Sequence, residues 1–162
     1  MKDLRINTSA PNLVNLCIDR ISHGNMEGRM YHKYTEGPVG FHTVQDCLLK
    51  MDALFDRIGY PQTTVRQRNF KNLPESMEKE EAVPVSDAAK VLAQSGELAT
   101  FVVHVNYRQN ATWQGEVVWA DTKQRCRFRS ALELLKLIDG ALDEAEGAGA
   151  PEAEETLETE RR

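Results

Sequence analysis

The sequence lacks the cysteine motifs and long apolar segments that are typical of small metal-binding, secreted or membrane proteins. Its 162 residues include three cysteines, Cys17, Cys47 and Cys126, and none of them stands in CxxC spacing. This odd number argues against a zinc ribbon or a disulfide framework and favours a reducing cytosol. No apolar run approaches the roughly 18 residues of a membrane helix, and the N-terminus lacks the apolar segment of a signal peptide. The sequence therefore predicts a cytoplasmic protein.

Motifs for catalysis are also missing. The four histidines, His23, His32, His42 and His104, are scattered and form neither HExxH nor HxE spacing. Neither GxSxG nor a phosphate-binding GxxxxGK[ST] loop is present. We therefore expect no metal site, no cofactor and no enzymatic activity.

Negative charge is concentrated at the C-terminus. The net charge is −5, and residues 143–162 contain eight acids and two arginines, so residues 1–142 carry a net charge of only +1. The end of the chain is also poor in large apolar residues, and such a composition cannot offset the entropy cost of ordering. We predict a single domain over residues 1–142 and a disordered acidic tail over residues 143–162.

The domain contains a weak internal repeat at a constant spacing of 87 residues. Gly28 aligns with Gly115, Phe41 with Phe128, and the apolar pattern continues without a gap through two helical segments. In both copies a period-2 apolar pattern predicts strands, and a hydroxyl residue followed three positions later by an acid predicts a helix start, at Thr43 and at Ser130. The repeats span about residues 11–59 and 98–142.

These patterns predict an α+β fold. Each repeat reads as a ββα unit, and two such units would form a four-stranded, mainly antiparallel sheet with both helices on one face. Residues 60–97 would be a variable insert that contains one short helix capped by Ser86.

A row of cations follows the last predicted strand. Lys123, Arg125, Arg127 and Arg129 alternate with Cys126 and Phe128, which we expect to face the helices. The cations should therefore point to the open face of the sheet or to its rim. Trp119 and Arg108, both in predicted strands, could add to the same surface. This pattern is typical of a partner-binding surface, although cations on an edge strand also simply prevent aggregation.

Two further features are candidate sites. In the segment after the first helix, Arg66, Arg68 and Phe70 combine an aromatic anchor with guanidinium donors, a composition favoured at protein interfaces. The repeated carboxylate pairs Asp52/Asp56 and Asp139/Asp143 share a helix face at i, i+4. No His, Asn or Gly loop accompanies these carboxylates, so solvation is the favoured interpretation over a cation site.

The segments "PVGFHTVQDCLLKMDALFDRIGYPQ" and "WQGEVVWADTKQRCRFRSALELLKLID" resemble a family of small proteins of clostridia and related Firmicutes with no established activity. The resemblance covers roughly residues 11–70 and 100–143. It implies a bacterial cytoplasmic protein of the kind carried on mobile elements, and it transfers no site residue. By analogy, such small proteins often bind a host enzyme, and anti-CRISPR proteins are one such class.

The sequence therefore predicts a non-enzymatic protein-binding module, an inhibitor or adaptor of a nucleic-acid enzyme such as a CRISPR nuclease. The alternative is direct binding of single-stranded nucleic acid through the basic sheet face, as on several RNA-binding sheets. The net charge of +1 on the domain argues against that alternative, because nucleic-acid binders usually carry a strong basic excess.

Overall fold

The computed structural model describes residues 5–63, 70, 82–109 and 112–149, with side chains described as far as residue 146. Within these ranges the chain forms six strands and three helices. In chain order they are β1 (Val14–Ser22), β2 (Asn25–Tyr31), β3 (Val39–Phe41), α1 (Val44–Ile58), α2 (Ala88–Leu92), β4 (Ala99–Tyr107), β5 (Gln114–Trp119), β6 (Gln124–Phe128) and α3 (Ala131–Gly149).

The strands of the described residues form one antiparallel sheet in the order β3-β2-β1-β4-β5-β6. The α+β class is correct, but the prediction of four strands and two helices is wrong. In each half, the sequence predicted a single second strand where the structure has two strands. The repeated unit is therefore βββα and not ββα. The missed turn of the second half lies at residues 120–123, where Lys123 has a φ of 60° and no glycine marks the reversal.

The strand pairing of the second half repeats that of the first half 87 residues later. Leu16 pairs with Met30, and Val103 pairs with Val117. The bulge between Ile18 and Arg20 recurs between Val105 and Tyr107. At the centre, Asn15 of β1 pairs with Val102 of β4, and these two residues are themselves 87 positions apart. A pseudo-twofold axis therefore passes between β1 and β4.

Local signals at the helix starts are confirmed in two cases and wrong in one. The Asp46 N–H donates to Thr43 Oγ1 (3.0 Å), and the Glu133 N–H donates to Ser130 Oγ (3.0 Å). Each bond satisfies one of the amides that a helix start leaves unpaired. The cap of α2 is Asp87 rather than Ser86, because the Lys90 N–H donates to Asp87 Oδ1 (2.9 Å).

The main core lies between the sheet and the helices α1 and α3. Both helices bury one apolar stripe against the same sheet face. Large buried side chains of this layer come from both repeats and include Phe41, Met51, Phe55, Phe101, Phe128, Leu134 and Ile138.

The second sheet face is covered at its centre, and this differs from the open face expected. A smaller core packs Ile6 and Leu13 of the N-terminal segment against Val102 and Val118 of the sheet. The stretch around α2 crosses the same face, where Asn15 Nδ2 donates to the carbonyls of Val91 (2.8 Å) and Gln94 (3.0 Å). The short helix α2 therefore lies on the sheet face opposite to α1 and α3.

Candidate partner-binding edge at strand β6

The predicted cation row lies along β6, at one edge of the sheet. Arg125 and Arg127 both contact Glu116 Oε1 on β5, at 3.1 and 3.5 Å, and Arg129 contacts Glu133 Oε2 at 3.1 Å. The side chains of Arg127 and Arg129 nevertheless remain 79% and 87% exposed. Lys123 lies in the preceding turn. The carboxylates thus hold part of the row in place and leave a moderate positive excess at the surface.

Trp119 lies on the opposite side of the sheet from these arginines. Its ring packs beside Phe101 on the helix face, with ring centroids 6.2 Å apart, and its Nε1–H donates to Asp121 Oδ2 (3.0 Å). Because neighbouring residues of a strand point to opposite faces, Val117 and Trp119 share one face while Glu116 and Val118 share the other. The structure therefore does not place Trp119 in the same surface as the arginine row.

Trp119 instead lines an open groove of about 560 Å³ between the β5–β6 edge and α3. Trp119 and Cys126 form part of its sheet side, and Leu137 and Ala141 form part of its helix side. Lys136 and Glu144 also line it. Cys126 faces the helices as predicted, but it is exposed at this groove and is not buried in the core.

The two edge strands of the sheet differ in how well they are protected against pairing with another chain. At β3, which has three residues, the Gly40 carbonyl accepts a hydrogen bond from Lys50 Nζ (2.6 Å). In the second half, Gly40 corresponds to Arg127 and Lys50 corresponds to Leu137. No lysine therefore occupies the corresponding place at β6. β6 has five residues, and no other described strand pairs with its outer side. An edge of this kind is a template for pairing with another chain.

The other predicted contact surface falls mostly outside the described residues. Arg66 and Arg68 are not among them, and Phe70 is fully exposed.

Burial shifts the pKa of two cysteines and one histidine. Burial raises the pKa of Cys17 to about 11 and that of Cys47 to about 12, so both thiols stay protonated near neutral pH. Burial also lowers the pKa of His104, with nearby Glu116 acting in the opposite direction. Within residues 5–63, 82–109 and 112–149 no group of three His, Cys, Asp or Glu side chains could hold a metal ion.

His32 makes the stability of the fold depend on pH. Burial, with a smaller contribution from Arg57, lowers its pKa from 6.5 to about 4, and its Nδ1 accepts the Tyr34 N–H (3.0 Å). Between pH 6.5 and about 4 the unfolded chain therefore binds a proton that the folded chain does not. The contribution of His32 is fully present above pH 6.5 and is lost as pH falls towards 4, by about 2–3 kcal/mol.

This linkage can be measured by urea unfolding at pH 7.5 and pH 4.5. We expect His32→Asn, which keeps an acceptor near the Tyr34 amide, to lose clearly less stability between the two pH values than the wild type. His42→Asn, at an exposed histidine, is the matched control and should behave like the wild type. Equal losses in all three proteins would contradict the assignment.

Arg108 is the structurally important residue that sequence reasoning placed wrongly. It is 5% exposed and does not belong to an open surface. Its Nη1 donates to Asp52 Oδ1 (3.2 Å) and Asp56 Oδ1 (2.7 Å), and its Nε donates to the Pro61 carbonyl (2.8 Å). One carboxylate pair is thus held by an arginine from the other repeat. The repeat contained a signal for this burial, because Arg108 aligns with the apolar Ile21.

No helix in the described part of the chain combines the length and the apolar character needed to cross a bilayer. The chain matches no protein-family model, and comparisons with curated proteins and with solved structures gave no significant match.

Proposed function

We propose that the protein is a non-enzymatic, cytoplasmic binding module that takes up an extended segment of a partner protein as a seventh strand along β6. The observation that carries this proposal is the construction of that edge. It is unpaired within the described sheet. On one side it has a mainly apolar groove, whose lining also includes Arg125, Lys136 and Glu144, and on the other side it has the exposed Arg127. Strand addition of this kind derives affinity from main-chain hydrogen bonds and specificity from alternate side chains.

The two sides of the edge specify the sequence of the added strand. Side chains on the helix side would enter the groove beside Trp119, Cys126 and Leu137, and they should be apolar. Side chains on the other side would meet Arg125 and Arg127, and they should be acidic. Because strand side chains alternate with period 2, the partner segment should alternate apolar and acidic residues.

Charge also argues against self-association at this edge. Two β6 strands paired with each other would bring their arginines together, and like charges facing each other across strands are destabilising. Single-stranded nucleic acid is less well supported than a protein segment, because Glu116 and Glu133 already pair with the arginines and the centre of the sheet face is covered. Inhibition of a nucleic-acid enzyme would follow if that enzyme supplied the acidic segment.

The test uses a synthetic nine-residue peptide of alternating Glu and Val with a fluorescent N-terminal label. We expect saturable binding by fluorescence anisotropy, and a loss of affinity of about tenfold or more in the Arg125→Ala, Arg127→Ala, Arg129→Ala variant. A Lys/Val peptide of the same length is the charge-reversed control and should not bind. A labelled single-stranded dT20 oligonucleotide that binds more tightly than the Glu/Val peptide would overturn the proposal.

Cys126 supplies a second readout at the same edge. It is the exposed thiol among three cysteines whose other two members are buried. Bound Glu/Val peptide should slow its alkylation by iodoacetamide, and Cys126→Ser should remove the fast-reacting thiol. Alkylation at an unchanged rate under saturating peptide would place the peptide elsewhere and contradict docking at β6.

A further inference from the structure

A second cleft lies on the helix face, between the β1–β2 hairpin and α3. It is open, has a volume of about 230 Å³, and is lined by residues that include Ile21, Met26, Ile138, Asp139 and Leu142. It is separate from the β6 groove except that Lys136 and Ile138 line both. Nothing in the proposed β6 docking requires this cleft.

The pseudo-twofold axis relates this cleft to a place in the molecule that is already filled. In the other half, Arg108 occupies the corresponding space against α1, with its guanidinium on Asp52 and Asp56 and 5.6 Å from the ring centroid of Phe55. The ring of Trp113 closes the same place by packing edge-on against Phe55, with centroids 5.4 Å apart.

The repeat spacing of 87 residues identifies the counterpart of each of these residues in the other half. Arg108 corresponds to Ile21, and Trp113 corresponds to Met26, so two large side chains are replaced by smaller ones and space remains. The residues on the helix are retained in kind. Their counterparts in α3 are Asp139 and Asp143 for the two carboxylates and Leu142 for Phe55.

The carboxylates of α3 have no cationic partner in the described structure. No ion pair among the described residues involves Asp139 or Asp143, whereas their counterparts in α1 share one guanidinium. The cleft therefore combines an apolar wall with the unpaired carboxylate of Asp139, and Asp143 lies one helical turn further along α3. The equivalent place in the other repeat holds an arginine.

We propose that this cleft accepts an arginine side chain presented by a partner protein. The guanidinium would bind Asp139 and Asp143 as Arg108 binds Asp52 and Asp56, and the methylene stem would pack on Ile21 and Leu142. Arginine suits such a site better than lysine because its planar fork can reach two carboxylates at once. The Lys136 ammonium at the lining lowers the local negative potential, so binding through one arginine should be weak.

The direct test uses the tripeptide acetyl-Gly-Arg-Gly-amide and its citrulline analogue, which keeps the shape and removes the charge. Methyl NMR of the protein should show saturable shifts at Ile21, Ile138 and Leu142 with the arginine peptide. The citrulline peptide should bind at least about tenfold more weakly. Asp139→Asn with Asp143→Asn should abolish the difference. Equal binding of both peptides, or shifts located elsewhere, would overturn the proposal.

An intramolecular test does not depend on a weak ligand. Ile21→Arg places an arginine at the position equivalent to Arg108, and Ile21→Gln is the neutral control of similar polarity. The arginine variant should melt about 3 °C above the glutamine variant. That gap should vanish when Asp139 and Asp143 are both changed to Asn. Equal melting temperatures of the two Ile21 variants in the otherwise wild-type chain would count against a guanidinium site.

Discussion

Replacing Gly28 or Gly115 with alanine should destabilise the fold by about 3 kcal/mol or more, among the largest effects expected of a single methyl group. The two glycines are equivalent positions of the repeat, on β2 and β5. Each pairs with a phenylalanine of the next strand, Gly28 with Phe41 and Gly115 with Phe128. The two substitutions should therefore cost similar amounts.

The physical reason is a close approach of neighbouring backbones. A Cβ at Gly28 would overlap the carbonyl oxygen of Cys17, and a Cβ at Gly115 would overlap that of His104. At Gly115 the added atom would also lie 2.9 Å from Val105 Cα and from Phe128 Cζ. These obstacles are mostly main-chain atoms of the central strands, so they can move away only if the sheet distorts.

The matched control is Gly140→Ala in α3, where an added Cβ meets no atom within 4 Å apart from the backbone of its own helix. Alanine is the better helix former, so this variant should gain about 0.5–1 kcal/mol. Guanidinium unfolding monitored by circular dichroism measures all three proteins. Gly28→Ala or Gly115→Ala with wild-type stability would show that the backbones are not in such close contact.

The fold was predictable from the sequence to the extent that local patterns and the repeat determined it. The spacing of 87 residues, the caps at Thr43 and Ser130 and the apolar helix stripes all depend on residues close together in the chain or on the register of two copies. The third strand of each unit was missed for a local reason. β3 has only three residues, and the turn before β6 contains Lys123 in a left-handed conformation that sequence rules assign to glycine or asparagine.

The candidate site was predictable only in part, because it depends on which elements cover which sheet face. The alternation of Arg125 and Arg127 with Cys126 gave the side of the strand to which each points. It could not show that Glu116 from the neighbouring strand pairs with both arginines. Nor could it show that residues far apart in the chain, Leu13 and Leu92, close the centre of the same face.

Replacing Arg108 with methionine should lower the free energy of unfolding by about 2–3 kcal/mol. The methionine keeps an unbranched stem of similar volume and removes the guanidinium from Asp52, Asp56 and the Pro61 carbonyl. Loss of one partner of a fully buried pair costs about 3–5 kcal/mol, because the remaining charge stays buried. Here Asp52 and Asp56 are 39% and 50% exposed and can regain water, so the cost should be smaller.

The control for charge alone is Arg127→Ala. Arg127 also contacts a carboxylate, but its side chain is 79% exposed, and such surface pairs contribute about 0.5 kcal/mol or less. Guanidinium unfolding midpoints at constant m-value should therefore separate the two arginines clearly. Equal stability losses would mean that Arg108 acts only as a surface ion pair.

The double variant Asp52→Asn, Asp56→Asn distinguishes the charge of Arg108 from its position. It removes both ion pairs but leaves the guanidinium over Phe55, at 5.6 Å, and the bond to the Pro61 carbonyl at 2.8 Å. Because Arg108 is 5% exposed, its guanidinium would then be a buried charge without a carboxylate, so the double variant should lose at least as much stability as Arg108→Met. The contacts of the guanidinium with Phe55 and the Pro61 carbonyl should nevertheless hold the segment after α1 in place. Limited proteolysis should then cut near residues 59–63 only in Arg108→Met. Cleavage at the same rate in both variants would show that the carboxylates, and not the position of the guanidinium, hold that segment on the repeat.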